Sequence, residues 1–119
     1  MFIQSVRHAV RGIIAAIMRE ENFRIELLCA WLVLLFAFFF HLSIIDWAFL
    51  MSVITVVLTL ELVNSAVEQM LDVVKPRLHG QVKLIKDMLA GAVLVAILGA
   101  CAVGLVVFFP HVVEAVAAI

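Results

Sequence analysis

The chain has 119 residues, 67% of them hydrophobic and 14% charged, with a mean hydropathy of +1.29, where a soluble domain carries only about 45–50% apolar residues. One membrane-embedded domain over 1–119 accounts for that composition, leaving no length for a soluble catalytic module, so any chemistry belongs at the membrane surface. The formal charge of −1 conceals an asymmetry: all eight Lys and Arg residues fall in two groups, Arg7, Arg11, Arg19 and Arg24, then Lys75, Arg77, Lys83 and Lys86.

In the first 24 residues Phe2, Ile3, Val6, Val10, Ile13, Ile14 and Ile17 recur at helical spacing, with Arg7, His8 and Arg11 largely on other faces. This predicts an amphipathic surface helix over 1–24, basic residues toward anionic head groups and the apolar stripe in the acyl boundary. Packing of that stripe on the protein's own bundle is the alternative. Glu20 and Glu21, and the lack of a short apolar core with a small-residue cleavage site, argue against a cleavable signal.

Three apolar segments are then measured against the roughly 20 residues a helix needs to cross ~30 Å of hydrocarbon. They predict spans at about 27–45, 47–66 and 88–109: the first is interrupted by His41 and Ser43, the second is entered by Glu61, and the third carries no charge. Cys29 and Cys101 lie within spans and read as small apolar residues. Ala92, Ala96, Ala100 and Gly104 line one face of the third span, a pattern suited to close helix packing. Pro110 is predicted to end it. By the positive-inside rule the N-terminus and the 72–87 loop are cytoplasmic, whereas the 41–47 turn and the C-terminal tail face outward.

Chemistry concentrates at the end of the second span, where Glu61, Asn64, Glu68 and Asp72 share one narrow helical face. With the hydrocarbon edge near Ala66, Glu61 lies roughly 8 Å inside it. An ionisable group there costs on the order of 2.5–3.5 kcal/mol, so it calls for a partner or a task. Stacked carboxylates call for a cation, and Mg²⁺ is commonly held by one or two carboxylates together with substrate phosphates. For Asp72 a solvated continuation of the helix is an equal reading. Across the loop stand His79, Lys83, Lys86 and Asp87. A Lys at a membrane edge is ordinarily a snorkelling anchor. Opposite an acidic ladder it also supplies what phosphoryl transfer requires: a cation for phosphate, carboxylates for a metal and a buried Glu for a hydroxyl proton. The chain has no Gly-rich phosphate loop of the Walker type, which excludes an ordinary nucleotide-binding fold.

The stretch Glu61-Leu-Val-Asn-Ser-Ala-Val-Glu68, followed by Asp72, His79 and Lys86-Asp87-Met-Leu-Ala-Gly-Ala-Val-Leu, resembles the signature of the bacterial diacylglycerol kinase and undecaprenol kinase family. Glu20-Glu-Asn-Phe-Arg24 is similar to the family's pattern before its first span. The resemblance implies an all-α homotrimer of three-span subunits in the bacterial cytoplasmic membrane, with an active site shared between neighbours. It implies ATP-dependent phosphorylation of a membrane lipid alcohol with Mg²⁺, and no nucleic-acid partner. Residue by residue, it implies Glu61 as general base and Glu20 and Glu68 as metal ligands. The nucleotide would meet His8, Glu20, Glu68, Arg77, Leu78, His79, Lys86 and Asp87. The lipid would meet Asn22, Phe23, Arg24, Ile25, Glu26 and Glu61, with Asn64 and Asp72 in support. Two positions depart: His8 stands where the family commonly has an aromatic residue, and Met1 near where it has an arginine.

Asn22-Phe-Arg-Ile, Lys83 ahead of Lys86-Asp87, and the ending Gly104 to Pro110 resemble the undecaprenol branch, whereas Asn64-Ser65 looks like the diacylglycerol branch. The rival classes are a small proton-coupled transporter subunit, because a membrane Glu suits a proton relay, and a non-catalytic assembly protein.

Overall fold

The computed structural model describes residues 1–74 and 79–119, with only the backbone of His79. Four helices follow one another: α1 Phe2–Arg19, α2 Glu21–Phe39, α3 Ile44–Val74 and α4 His79–Ala117. Among the described residues α2, α3 and α4 are each long and apolar enough to cross a membrane, which makes this an integral membrane protein. Large side chains such as Trp31, Phe38, Val95, Leu98 and Val106 point outward, because lipid is as good a solvent for them as a protein core. At 31 and 39 residues, α3 and α4 are about 46 and 58 Å long. Both outrun the ~30 Å of hydrocarbon, and the molecule extends 61 Å along its longest axis.

The first predicted span is shorter than its apolar run. Instead of continuing through Ile45, α2 ends at Phe39, with Phe40 as C-cap and His41 in the left-handed region at φ 54°. The His41 N–H donates to the Phe38 carbonyl and the Leu42 N–H to that of Ala37, both at 3.3 Å. These are the two reversed bonds of a Schellman ending, completed by burial of Leu42 against Ala37. Ser43 caps the next helix, its Oγ accepting the Asp46 N–H at 3.2 Å. Hydropathy could not show this break, since the residues that make it are themselves mostly apolar.

A left-handed residue with a Cβ is strained by about 1–2 kcal/mol. His41→Gly is therefore expected to stabilise the folded protein by roughly 1 kcal/mol, read as a raised thermal midpoint in micelles. A fall would mean that the imidazole makes a contact worth more than the strain.

Pro110 does not end the third span. It lies inside α4, which runs on to Ala117. An interior proline forfeits one backbone bond and costs about 3 kcal/mol, a cost that packing at this end of the bundle helps to offset. Phe108 and Phe40 meet edge-on at 6.1 Å, and the core cluster of Ala37, Leu42, Leu50 and Val107 lies here. His111 Nδ1 also stands 3.1 Å from the Val107 carbonyl.

The antiparallel course of α2 and α3 places Glu20 to Glu26, the acidic end of α3 and the start of α4 at the opposite end of the bundle. A sharp corner presents Glu20 there. Its backbone is extended (φ −109°, ψ 109°) between α1 and α2, yet its N–H donates to Ala16 and its carbonyl accepts from Arg24. Phe23, buried at 2% exposure, anchors the corner. The Arg24 guanidinium clasps it by donating from Nη1 to the Ile17 carbonyl at 2.8 Å and the Met18 carbonyl at 3.2 Å, where the partial negative charge of a helix end favours a cation.

Candidate active site

The acidic face of α3 grades from buried to exposed. Glu61 is 4% exposed and Ser65 7%, Asn64 and Glu68 are half-buried, and Asp72 is exposed. Of the four residues on this face, Glu61, the one expected to lie deepest in the span, is the most covered by protein.

Glu61 interacts directly with the carboxyl group of Glu26 on α2, and Glu68 and Glu20 also act on it electrostatically. The site therefore gathers four carboxyl groups from the α1–α2 corner, α2 and α3. Among the described residues the ion pair found is Lys86 Nζ to Asp72 Oδ1 at 3.2 Å, which joins α4 to the last turns of α3 and leaves the deeper carboxylates without a paired cation.

Among the described residues three buried polar atoms here have no hydrogen-bond partner: Glu26 Oε2, Asn64 Oδ1 and Ser65 Oγ. Two are pure acceptors and the third can accept. Orphan acceptors beside uncompensated carboxylates are costly when buried, and they fit a cation or a hydroxyl donor. Among the described residues no three His, Cys, Asp or Glu side chains form a metal-holding group. Mg²⁺ is ordinarily held by one or two carboxylates with substrate oxygens completing its shell, and carboxylates such as Glu20 and Glu68 are of the type such a site uses.

Two cavities flank this cluster. On the α1 side is a cleft of about 180 Å³ whose lining includes Gly12, Ala16, Arg19, Glu20, Ser65 and Gln69. On the other side an apolar groove of about 480 Å³ begins at Glu26 and Cys29 of α2 and continues past Val57 and Leu50 of α3 to Cys101 and Gly104 of α4. A cleft that carries Arg19, Glu20, Ser65 and Gln69 among small apolar residues, and a hydrocarbon-lined groove that begins at Glu26, thus flank the carboxylate cluster.

Of the other residues inferred from sequence, Phe23 and Arg24 build the corner, Ile25 lines the groove, and Asn22 is exposed. His8 and Asp87 are exposed and make no side-chain hydrogen bond or ion pair among the described residues. Arg77, Leu78 and the His79 side chain lie outside the described residues. Sequence reasoning passed over Arg19, Ser65 and Gln69. Ser65 did leave a signal, being one helical turn beyond Glu61 on the same face.

Residues 7–108 match the family model described as prokaryotic diacylglycerol kinase. The chain is 38% identical over 109 residues to an undecaprenol kinase of Bacillus subtilis, covering 92% of this chain and 89% of that protein. It is 38% identical over 101 residues to a diacylglycerol kinase of Synechocystis, covering 84% of this chain and 58% of that protein. A diacylglycerol kinase of Haemophilus influenzae is 31% identical over 104 residues, covering 87% of this chain and 86% of that protein.

Proposed function

Because the chain belongs to the prokaryotic diacylglycerol kinase family and is a membrane lipid kinase, we propose that it transfers the γ-phosphoryl group of ATP directly to the hydroxyl of a membrane lipid alcohol, with Mg²⁺, at the cytoplasmic interface of a bacterial inner membrane. The placement of Glu61 carries this reading. It is buried against Glu26, between a cleft bearing Arg19, Glu20, Ser65 and Gln69 and an apolar groove, as an amphiphilic acceptor and a water-borne donor require.

In this reading the lipid tail occupies the groove and the Asn22 to Glu26 stretch borders its head. Glu61 takes the hydroxyl proton during attack. Glu20 and Glu68 hold Mg²⁺, which when bound neutralises charge on the nucleotide phosphates. Lys86 and Asp87, with Arg77, Leu78, His79 and His8, meet the nucleotide. Asp72, paired with Lys86 at 3.2 Å, keeps that ammonium at the site until phosphate competes for it, and Asn64 supports the carboxylates. Direct in-line transfer is favoured because Glu61 can assist the hydroxyl and no Cys or His sits where a covalent phospho-enzyme would obviously form.

Undecaprenol is the favoured acceptor, on the strength of the branch-like residues Asn22-Phe-Arg-Ile and Lys83 and of the extensive match to an undecaprenol kinase. The α1 helix would lie on the membrane through Phe2, Ile3, Val10 and Ile14, all exposed, with Arg7 and Arg11 toward anionic head groups. The subunits would assemble as homotrimers with the N-terminus cytoplasmic and the C-terminus outside.

The direct test is Mg²⁺-dependent transfer of the γ-phosphate of ATP by purified protein, offered undecaprenol and diacylglycerol separately in the same micelles. Transfer to undecaprenol at least tenfold faster is expected; a preference for diacylglycerol reverses the branch assignment, and transfer to neither ends the proposal.

The groove carries its own reporters, since Cys29 and Cys101 line it from opposite walls and are exposed. Saturating undecaprenol is expected to slow maleimide alkylation of both thiols several-fold, and unchanged labelling by a lipid that is turned over places the tail elsewhere. A Cβ at Gly104 would meet nothing within 4 Å, so Gly104→Leu can partly fill the groove. It is expected to raise KM for undecaprenol more than for a short-chain alcohol.

A further inference from the structure

Resting on the kinase reading above, we infer that the cleft between α1 and α3 is a phosphoryl-binding site in which Arg19, Ser65 and Gln69 position the group being transferred. None of the three belongs to the residues assigned above to metal, nucleotide or lipid.

Ser65 is the starting point. Two other hydroxyls of α3 are returned to their own helix: Ser52 donates to the Ala48 carbonyl and Thr55 to the Met51 carbonyl, each at 2.7 Å. Such back-bonding is what an isolated helical hydroxyl does when it lacks a better partner. Ser65 does not do it. At 7% exposure its Oγ is covered and has no partner among the described residues, while its side chain contributes to the cleft wall. A buried hydroxyl left unpaired is a standing cost that a ligand oxygen would relieve.

The cleft wall is largely small and apolar, Leu62 included, and its polar members are Arg19, Glu20, Ser65 and Gln69. Arg19 brings a permanently charged guanidinium with five N–H donors, Gln69 an amide with two and Ser65 one O–H. Their counterpart is the Glu20 carboxylate, on the same cleft. Gly12, Ala15, Ala16 and Ala66 are also on it, and their small side chains leave about 180 Å³ open. A donor-rich pocket with a single carboxylate suits a tetrahedral oxyanion that shares a cation with that carboxylate. Ser65 stands four residues beyond Glu61, a rise of about 6 Å, so a phosphoryl group seated here is next to the hydroxyl that Glu61 serves.

The transferred group is the end of ATP before reaction and the head of a lipid monophosphate afterwards, and binding measurements separate these sources. Arg19→Gln with Ser65→Ala, and separately Gln69→Leu, would be made in the full chain in micelles. Equilibrium binding of MgATP, MgADP and undecaprenyl monophosphate would then be measured without turnover. Loss of one hydrogen bond to a charged oxygen is worth on the order of tenfold, so MgATP is expected to bind at least tenfold more weakly while MgADP is unchanged. Weakening of the lipid monophosphate alone assigns the cleft to the product side of the same group and also supports the inference. Equal loss for MgATP and MgADP, or no loss for any of the three, overturns it. Ser65→Thr, which keeps the hydroxyl, is expected to restore part of the discrimination. Since these are binding measurements, a cleft that fails them leaves the kinase reading standing if the wild type still transfers phosphate. A wild type that transfers to no lipid removes the kinase reading instead.

Discussion

Replacing Glu61 with Gln is expected to lower phosphoryl transfer by about 10²- to 10⁴-fold, the span associated with removing a positioned general base, while leaving the fold intact or more stable. Gln keeps the shape of the side chain and its capacity to meet Glu26, but it cannot accept a proton. In a span, removal of an ionisable group relieves on the order of 2.5–3.5 kcal/mol of insertion cost, and here it also relieves the repulsion that Glu68 and Glu20 exert on Glu61. Stability and activity should therefore move in opposite directions, as expected where a destabilising group is kept for function. The measurements are the thermal midpoint in micelles, the size of the assembly and the transfer rate at saturating ATP and lipid. A residual rate within tenfold of wild type would eliminate Glu61 as base. A lost rate accompanied by a dissociated or unfolded protein would instead point to an assembly role. Glu26→Gln is the control: it removes the neighbouring carboxylate but not the base, so a smaller fall, concentrated in KM for the lipid, is expected.

What could be read from the sequence followed the physics of each feature. The three spans were legible because hydrocarbon thickness imposes a long apolar run, and Glu61 because a charge inside such a run is anomalous. The fold buries it to 4% exposure and sets Glu68 close enough to act on it electrostatically. A turn near 41–47 was legible but the end of α2 at Phe39 was not, since a Schellman ending needs one left-handed residue and here that residue is His41 rather than glycine. Pro110 misled in the opposite way, because an interior proline can be tolerated where neighbouring helices pack against it. Glu26 came only with the family resemblance; its contact with Glu61 joins two helices and depends on how α2 packs on α3. The acidic groups and Lys86 gather at one end of the bundle, whereas transporter sites favour the bilayer midplane, which weighs against the proton-coupled alternative.

Glu20 and Glu68 give the second large expected effect, one that separates metal binding from proton transfer. Two carboxylates from different elements, the α1–α2 corner and α3, are what an Mg²⁺ ion completed by phosphate oxygens requires. Glu68→Gln or Glu20→Gln is expected to lower the rate by roughly 10²-fold or more at fixed Mg²⁺, the scale on which loss of one preorganised electrostatic group acts on a transition state. The Mg²⁺ concentration for half-maximal activity should rise with it. Raising Mg²⁺, or substituting Mn²⁺, should recover part of the rate in these variants, because a weakened ligand set still fills by mass action. No such recovery is expected for Glu61→Gln, whose lost proton acceptor a metal ion does not replace. If added metal rescues Glu61→Gln as readily as Glu68→Gln, the division of labour is wrong and Glu61 is itself a metal ligand. If it rescues none of the three, Glu20 and Glu68 act by another route, and the orphan acceptors Glu26 Oε2 and Asn64 Oδ1 become the next residues to substitute.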